Sequence, residues 1–157
     1  MSIDKAREHL KKFGLDGKIQ EFETSSATVA LAAMALRTDE ERIAKTLSFD
    51  LAGETVLIVA AGDAKINNSK FKTQFGKKAK MLSYDEVEER VGHGVGGVCP
   101  FGVNDGVRVY LDESMKRFET VFPAAGTASS AVELTLSELE SASGALGWID
   151  VTSIPEC

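Results

Sequence analysis

The spacing of hydrophobic residues along this chain switches repeatedly between a period near 3.6 and a period of two, which predicts interleaved helices and strands. The chain begins with an amphipathic helix whose apolar residues are Ile3, Ala6, Leu10 and Phe13. Gly14 and Gly17 end that helix. Residues 18–23 alternate as a short strand. The polar run 24–26 offers caps for an apolar helix over 28–36.

The middle of the chain predicts a β-hairpin followed by short helices. Strands at 42–50 and 54–61 flank the turn Leu51-Ala52-Gly53, which favours antiparallel pairing. We then expect a helix over 67–75, a short strand at 79–82, and a helix over 83–91 that a capping box opens.

The last third of the chain predicts mostly strands. These lie at 107–112, 120–122, 131–135 and 148–152, with a helical turn at 113–117 and a second capping box at Thr135 opening a helix. Because hairpin-like neighbours are mixed with helices, we expect an α+β fold. The predicted architecture is a single domain over 1–157, with a curved, mixed, largely antiparallel sheet flanked by helices.

Positive charge is concentrated in one part of an acidic chain. The net charge is −6, yet no acidic residue lies between Ala64 and Tyr84, where there are six lysines: Lys65, Lys70, Lys72, Lys77, Lys78 and Lys80. A local patch of this kind can hold a short stretch of phosphate backbone without general affinity for DNA. A solvated lysine-rich surface is the alternative interpretation.

Other sequence features limit the class of protein. The chain starts without a targeting segment, and its apolar runs are too short to span a membrane, so we expect a cytoplasmic protein with no membrane partner. Cys99 and Cys157 are expected to be free thiols. Neither the cysteines nor the two histidines have metal-ligand spacing, so we expect no metal and no other cofactor.

Lys45 is the most informative single residue. The period of two in the first hairpin strand places it on one face with Ile43, Leu47 and Phe49, which are all apolar. A lysine on a buried face must find a partner, reach water or lower its pKa. The functional interpretation is a lysine in the floor of a pocket, aimed at a substrate oxygen or phosphate. The alternative is a charge that guards an edge strand or extends to the rim.

The glycine-rich loop over 92–102 is the second signal. It matches Gly-x-Gly-x-x-Gly, but a helix precedes it and Pro100 follows it, which is the wrong context for a nucleotide-binding turn. A bent loop whose N–H groups polarise a carbonyl fits better, with a flexible connector as the alternative. Cys99 and His93 also raise the possibility of a thiol nucleophile, although a small packing residue is the more common role.

Four landmarks in order give the chain a family resemblance. They are Lys45-Thr46-Leu47; Gly62-Asp63-x-Lys65-x-Asn67; Gly96-Gly97-Val98-Cys99-Pro100-Phe101-Gly102; and Ala124-Ala125-Gly126 followed by Val132-Glu133-Leu134. Together they resemble the YbaK/EbsC family, which is related to the editing domain of prolyl-tRNA synthetase. The resemblance implies deacylation in trans of misacylated tRNA, with the acceptor end of that tRNA and prolyl-tRNA synthetase as partners.

The resemblance also implies roles for individual residues. The catalytic set is Lys45, Gly96, Gly97, Val98, Pro100 and Gly102. The substrate-binding set is Gly62, Asp63, Asn67, Phe101, Ser129 and Ala131. The local excess of lysine adds a predicted tRNA-binding set, which is Lys65, Lys70, Lys72, Lys77 and Lys78.

The amino acid removed is expected to be small, such as alanine or cysteine, from tRNA for proline. Ala131 stands where the cysteine-removing branch has Asp, so another small amino acid is as plausible as cysteine. Two other functions stay open. One is a non-catalytic module that binds tRNA or a synthetase, and the other is a small-ester hydrolase that uses Cys99.

Overall fold

The computed structural model describes residues 2–22, 28–94 and 97–154. The α-helices in this part of the chain are α1 (Ser2–Lys11), α2 (Val29–Leu36), α3 (Asn68–Phe75), α4 (Tyr84–Val91) and α5 (Leu136–Ser143). The strands are β1 (Ile19–Glu21), β2 (Ile43–Leu51), β3 (Glu54–Ala61), β4 (Lys65–Ile66), β5 (Arg108–Asp112), β6 (Thr120–Pro123), β7 (Ser130–Val132), β8 (Leu134–Thr135), β9 (Trp148–Ile149) and β10 (Thr152–Ser153).

The fold is mixed α/β, as the sequence predicts. Six strands form the main sheet in the order β8-β6-β2-β3-β5-β9, and β1 with β7 and β4 with β10 form two small sheets. Among the described strands, four pairings are antiparallel and three are parallel.

The β2–β3 hairpin is the centre of the main sheet. Its strands pair from Ala44 with Ala61 to Leu51 with Glu54. The turn places Ala52 and Gly53 at φ values of 52° and 90°. Two consecutive residues with positive φ are typical of the tight turns that match strand twist. The predicted hairpin is therefore confirmed.

Both faces of the hairpin are covered by apolar side chains. On one face, β3 packs with residues of α1, α4 and α5, including Leu10, Val91 and Leu139. On the other face, Phe49 and Ile58 pack with Phe71 of α3. Because both faces are covered, β3 is buried continuously from Val56 to Ala61.

Local signals at helix ends are also confirmed. Capping boxes join Ser83 to Glu86 and Thr135 to Glu138, at the starts of α4 and α5. Each box satisfies backbone N–H groups that the first helical turn leaves without a partner.

Several predicted strands are wrong in extent. The strand predicted at 79–82 is reduced to one bridge between Met81 and Phe49. The strand predicted at 148–152 is divided into β9 and β10, which belong to different sheets. The segment predicted at 131–135 is likewise divided between β7 and β8, and β4 was not predicted.

The division between β9 and β10 has a physical cause at Asp112. This buried carboxylate accepts hydrogen bonds from the Val151 N–H at 2.9 Å, the Thr152 hydroxyl at 2.7 Å and the Ser114 N–H at 2.9 Å. The chain therefore turns around Asp112 instead of continuing along β5.

We predict that Asp112→Ala lowers the free energy of unfolding by about 2–4 kcal/mol, because each buried donor left without a partner costs about 1–3 kcal/mol. Urea unfolding measures the change. Asp150→Ala is the control, since it removes only the exposed ion pair with Lys70 and should cost at most about 1 kcal/mol. Equal losses for the two variants would show that Asp112 is not an anchor.

Candidate functional site

A cavity of about 430 Å³ lies beside β2 and opens at the protein surface. Its wall is built from β2, α2, the segment around Met81, the start of α4, Val98 of the glycine-rich loop, and the region of β6 and β7. Four alanines contribute to that wall: Ala32, Ala44, Ala124 and Ala131. Small side chains from separate elements therefore leave the space that forms the cavity.

The cavity exists because the outer edge of β2 is covered only at its two ends. At one end Ala44 pairs with Pro123 of β6. At the other end the Ser48 carbonyl accepts a hydrogen bond from the Leu82 N–H at 3.1 Å. Backbone groups alternate along a strand, so Thr46 directs its N–H and C=O to this same edge, between the two covering segments. The middle of β2 thus presents backbone donors and acceptors to the cavity.

Thr46 also has a polar side chain in this wall. Its hydroxyl oxygen is buried and has no hydrogen-bond partner within the described residues. A buried hydroxyl without a partner is unfavourable unless a water or a ligand satisfies it. Thr46 belongs to the landmark Lys45-Thr46-Leu47, but the sequence analysis does not predict it as a site residue.

Lys45 lies in the cavity wall, on the face that the period of two predicts. Its neighbours on that face, Leu47 and Phe49, pack in the apolar cluster with Phe71. The Lys45 ammonium donates hydrogen bonds to the carbonyls of Gly62, at 3.3 Å, and Ala64. The charge is therefore held at a fixed position by the end of β3.

The surroundings of Lys45 lower its pKa. Burial disfavours the ammonium form and is the largest cause, while the nearby Asp63 carboxylate raises the pKa in part and Lys65 lowers it. Asp63 is itself paired with Arg117, through contacts of 2.6 and 3.1 Å. That pair lowers the pKa of Asp63, so this carboxylate is charged at neutral pH.

The glycine-rich loop reaches the cavity through Val98. Gly97 makes this approach possible, because a Cβ at that position would lie 2.5 Å from the backbone of Gly126. Pro100 is buried. Gly96 lies outside the described residues.

The rest of the loop is anchored in the core. Phe101 is fully buried in the main apolar cluster, and Gly102, with φ 68°, packs against the backbone of Lys5 in α1. The carbonyl of Phe101 accepts a hydrogen bond from His93 Nε2 at 2.6 Å. These residues fix the loop from behind and do not belong to the cavity wall.

Cys99 is enclosed beneath the same loop. Its sulfur lies 3.6 Å from His93 Nε2, and burial raises its pKa to about 12. A thiol in this environment stays protonated at neutral pH, and the side chain has no exposed surface. The geometry therefore argues against the alternative in which Cys99 is a nucleophile. Cys157 lies outside the described residues.

The other predicted substrate-binding residues occupy different places. Ala131 lines the cavity. The Ser129 carbonyl accepts a hydrogen bond from the Phe22 N–H at 2.7 Å. Asn67 caps α3 through its side chain and contacts Ser153. Gly62 and Asp63 contact Lys45 and Arg117 and not the cavity itself. Thus Lys45, Val98 and Ala131 share one cavity, and the others support it or lie outside it.

The predicted tRNA-binding lysines are divided in the structure. Lys70 pairs with Asp150 at 3.0 Å and donates to the Thr152 carbonyl, so it joins α3 to β10. Four lysines of this segment, Lys65, Lys72, Lys77 and Lys78, are exposed. Within the described ranges, none of these four takes part in an ion pair.

The cavity also contains wall residues that the sequence did not single out, namely Tyr84, Met81 and Ser130. No local pattern marks them, because their position depends on how the segments before α4 and β7 pack along β2. Among the residues described, no group of three or more His, Cys, Asp or Glu side chains could hold a metal ion. None of the helices in the same ranges is long and apolar enough to cross a membrane.

Comparison with known proteins places this fold in a family. Residues 23–142 match the aminoacyl-tRNA editing domain. The chain is 53% identical to an uncharacterized protein, YwhH, of Bacillus subtilis (strain 168) over 152 residues, covering 96% of this chain and 97% of that protein. It is 30% identical over 90 residues to a proline–tRNA ligase of Lysinibacillus sphaericus (strain C3-41), covering 57% of this chain but 16% of the ligase.

A solved structure supports the same assignment across the whole fold. The chain superposes on a protein proposed to be a trans-editing enzyme for prolyl tRNA synthetase, with a TM-score of 0.87 and 27% identity. The match covers 97% of each chain. Together, the matched residues and the superposed fold show that this chain belongs to the aminoacyl-tRNA editing domain family.

Proposed function

We propose that this protein hydrolyses the ester that joins a small amino acid to the 3′ end of a mischarged tRNA. The observation that carries the proposal is Lys45, which lines a cavity together with Val98 of the glycine-rich loop and whose ammonium is held in place by two backbone carbonyls. A fixed positive charge beside a largely apolar cavity stabilises the negative charge that develops there during the reaction.

Hydrolysis of this ester requires positioning of the reactants and electrostatic stabilisation of the transition state. An aminoacyl ester is already activated, so a water can attack its carbonyl carbon once both are held in place. The attack forms an oxyanion, which then expels the 3′ oxygen of the terminal adenosine, and the products are the amino acid and the uncharged tRNA. The backbone N–H of Val98, a residue of the cavity wall, is the candidate to hold the carbonyl oxygen, because the N–H of Gly97 already donates to the Gly94 carbonyl at 3.0 Å. Lys45 binds a hydroxyl or phosphate oxygen beside it.

The lining of the cavity is compatible with a small amino acid as the substrate. The alanines at 32, 44, 124 and 131 provide space for its side chain. Selection by size alone is limited, because one methylene is worth only about 1–3 kcal/mol in a pocket. Similarity to part of a proline–tRNA ligase supports tRNA for proline as the first substrate to test.

Lys45→Ala is the first test of the proposal. We expect kcat/KM for deacylation to fall about 10²- to 10³-fold, the range for loss of one preorganised charge-stabilising group. Alanine-, cysteine- and serine-charged tRNA for proline are assayed with the purified variant. Lys12→Ala is the control, because it removes an exposed lysine that is neither in the cavity wall nor among the predicted tRNA-binding residues. Equal rates for Lys45→Ala and wild type, both above the rate without enzyme, would remove Lys45 from the mechanism.

The pH dependence tests whether the charged form of Lys45 is needed. Burial lowers the pKa of Lys45, so the ammonium loses its proton at a lower pH than an ordinary lysine does. Activity should therefore fall as the pH rises, and it should do so at a lower pH than the pKa of an ordinary lysine. Asp63→Asn removes a carboxylate that raises this pKa, and the loss should then move to lower pH. The measurement is kcat/KM against pH, after subtraction of hydrolysis without enzyme.

Arg117→Gln is the matched control for the pH experiment, since it breaks the same ion pair but keeps the Asp63 carboxylate. It should not move the alkaline loss to lower pH. If Asp63→Asn and Arg117→Gln shift the profile of kcat/KM against pH equally, the ion pair, and not the charge of Asp63, determines the alkaline loss of activity.

Cys99→Ala separates this proposal from a thiol mechanism. Because Cys99 is fully buried, we expect its loss to reduce stability by about 1–2 kcal/mol, as removal of a small buried group does. Deacylation at 25 °C should stay within about twofold of wild type, a change of about 0.4 kcal/mol. Abolished activity in a folded Cys99→Ala protein would instead support the thiol. Binding of tRNA with no hydrolysis of any ester by wild type would support a non-catalytic module.

A further inference from the structure

Two large side chains of the cavity wall are also exposed to solvent. Tyr84 is 78% exposed and Met81 is 56% exposed, yet both contribute to the cavity wall. A single exposed apolar side chain is ordinary. Two at the entrance of one cavity are a surface that a ligand can cover.

The backbone beneath Tyr84 is held firmly. Tyr84 is the first residue of α4, directly after the capping box between Ser83 and Glu86. Leu82 and Val87, on either side, are buried and also line the cavity. Leu82 is bonded to the Ser48 carbonyl of β2. The ring of Tyr84 is thus presented to solvent from a fixed base.

Positively charged residues directly precede Met81 and Tyr84 in the chain. Lys77, Lys78 and Lys80 precede Met81, all are exposed, and none takes part in an ion pair with another residue that the structure describes. The acidic residues of this region lie after Tyr84, on α4, where Glu86 is engaged by Ser83 and Arg90. Along the chain, exposed lysines therefore precede Tyr84 and carboxylates follow it.

We propose that Tyr84 is a stacking platform for a base in the unpaired 3′ end of an RNA, with Met81 packing beside it and Lys78 and Lys80 facing the phosphates. Aromatic side chains next to lysines are the usual means of holding single-stranded nucleic acid without reading its sequence. The proposal deepens and rests on the proposed function, because the terminal adenosine would enter the cavity and the nucleotide before it would meet the ring at the mouth.

Binding is tested without hydrolysis. Two uncharged RNA hairpins are compared by fluorescence anisotropy, one with an unpaired four-nucleotide 3′ tail and one blunt. Tyr84→Ala should weaken binding of the tailed hairpin about 5- to 100-fold, as loss of one stacked base does, and should not change binding of the blunt one. Tyr84→Phe and Tyr84→Trp should keep the affinity, since both retain a ring. Leu146→Ala, which truncates an exposed side chain outside the cavity wall, is the control.

Catalysis gives an independent second measurement. For charged tRNA, Tyr84→Ala should raise KM more than it lowers kcat. For an aminoacyl ester of adenosine alone, the rise in KM should be smaller than for charged tRNA, because that substrate lacks the preceding nucleotide whose base would stack on Tyr84. The double variant Lys78→Glu with Lys80→Glu should weaken binding of the tailed hairpin and reduce the salt dependence of that binding. The control double variant Lys11→Glu with Lys12→Glu, in and after α1, should have a smaller effect on both quantities.

The outcomes separate the two proposals. Wild-type affinity of Tyr84→Ala for the tailed hairpin, or an equal loss for the blunt hairpin, would overturn the stacking platform. If the tailed hairpin binds through Tyr84 but wild type hydrolyses no ester, the platform stands and the deacylase proposal fails.

Discussion

The contact on which the site depends is that between the Lys45 ammonium and the carbonyls of Gly62 and Ala64. The β2–β3 register places Lys45 opposite Ala60, so the lysine stem extends along the sheet toward the point where β3 ends. The chain after β3 turns there, and its carbonyls are available as acceptors. A partly buried ammonium needs such partners to remain charged. The Asp63 carboxylate, which Arg117 holds, places a compensating negative charge nearby.

The second constraint is the incomplete edge of β2. The two covering segments, β6 and the Met81 region, meet the strand only near its ends. A neighbouring strand that paired along the whole edge of β2 would satisfy the backbone N–H and C=O groups of Thr46. It would also fill the cavity, because paired strands lie about 4.8 Å apart. The gap in the sheet therefore leaves a cavity with polar groups in its wall. The glycine-rich loop closes one side of that space, and Gly97 is what lets it come close to Gly126.

The sequence predicts those features that depend on local pattern. The hairpin, the face of Lys45 and both capping boxes follow from residue spacing alone, because period and capping are local properties. The division between β9 and β10 does not, since it depends on the buried Asp112 carboxylate, which is distant in sequence. Likewise Phe101 and Asn67 belong to a recognisable motif, yet one is buried in the core and the other caps a helix. Tyr84 and Thr46 acquire their positions only when the edge of β2 is left open.

The most direct test of the central claim is a crystal structure with an amide-linked aminoacyl-adenosine analogue, which cannot be hydrolysed. The aminoacyl group is expected to occupy the cavity between Lys45 and Val98, with the Lys45 ammonium within hydrogen-bond distance of a ligand oxygen. An analogue bound elsewhere, or bound in the cavity with the lysine still held only by Gly62 and Ala64, would contradict it.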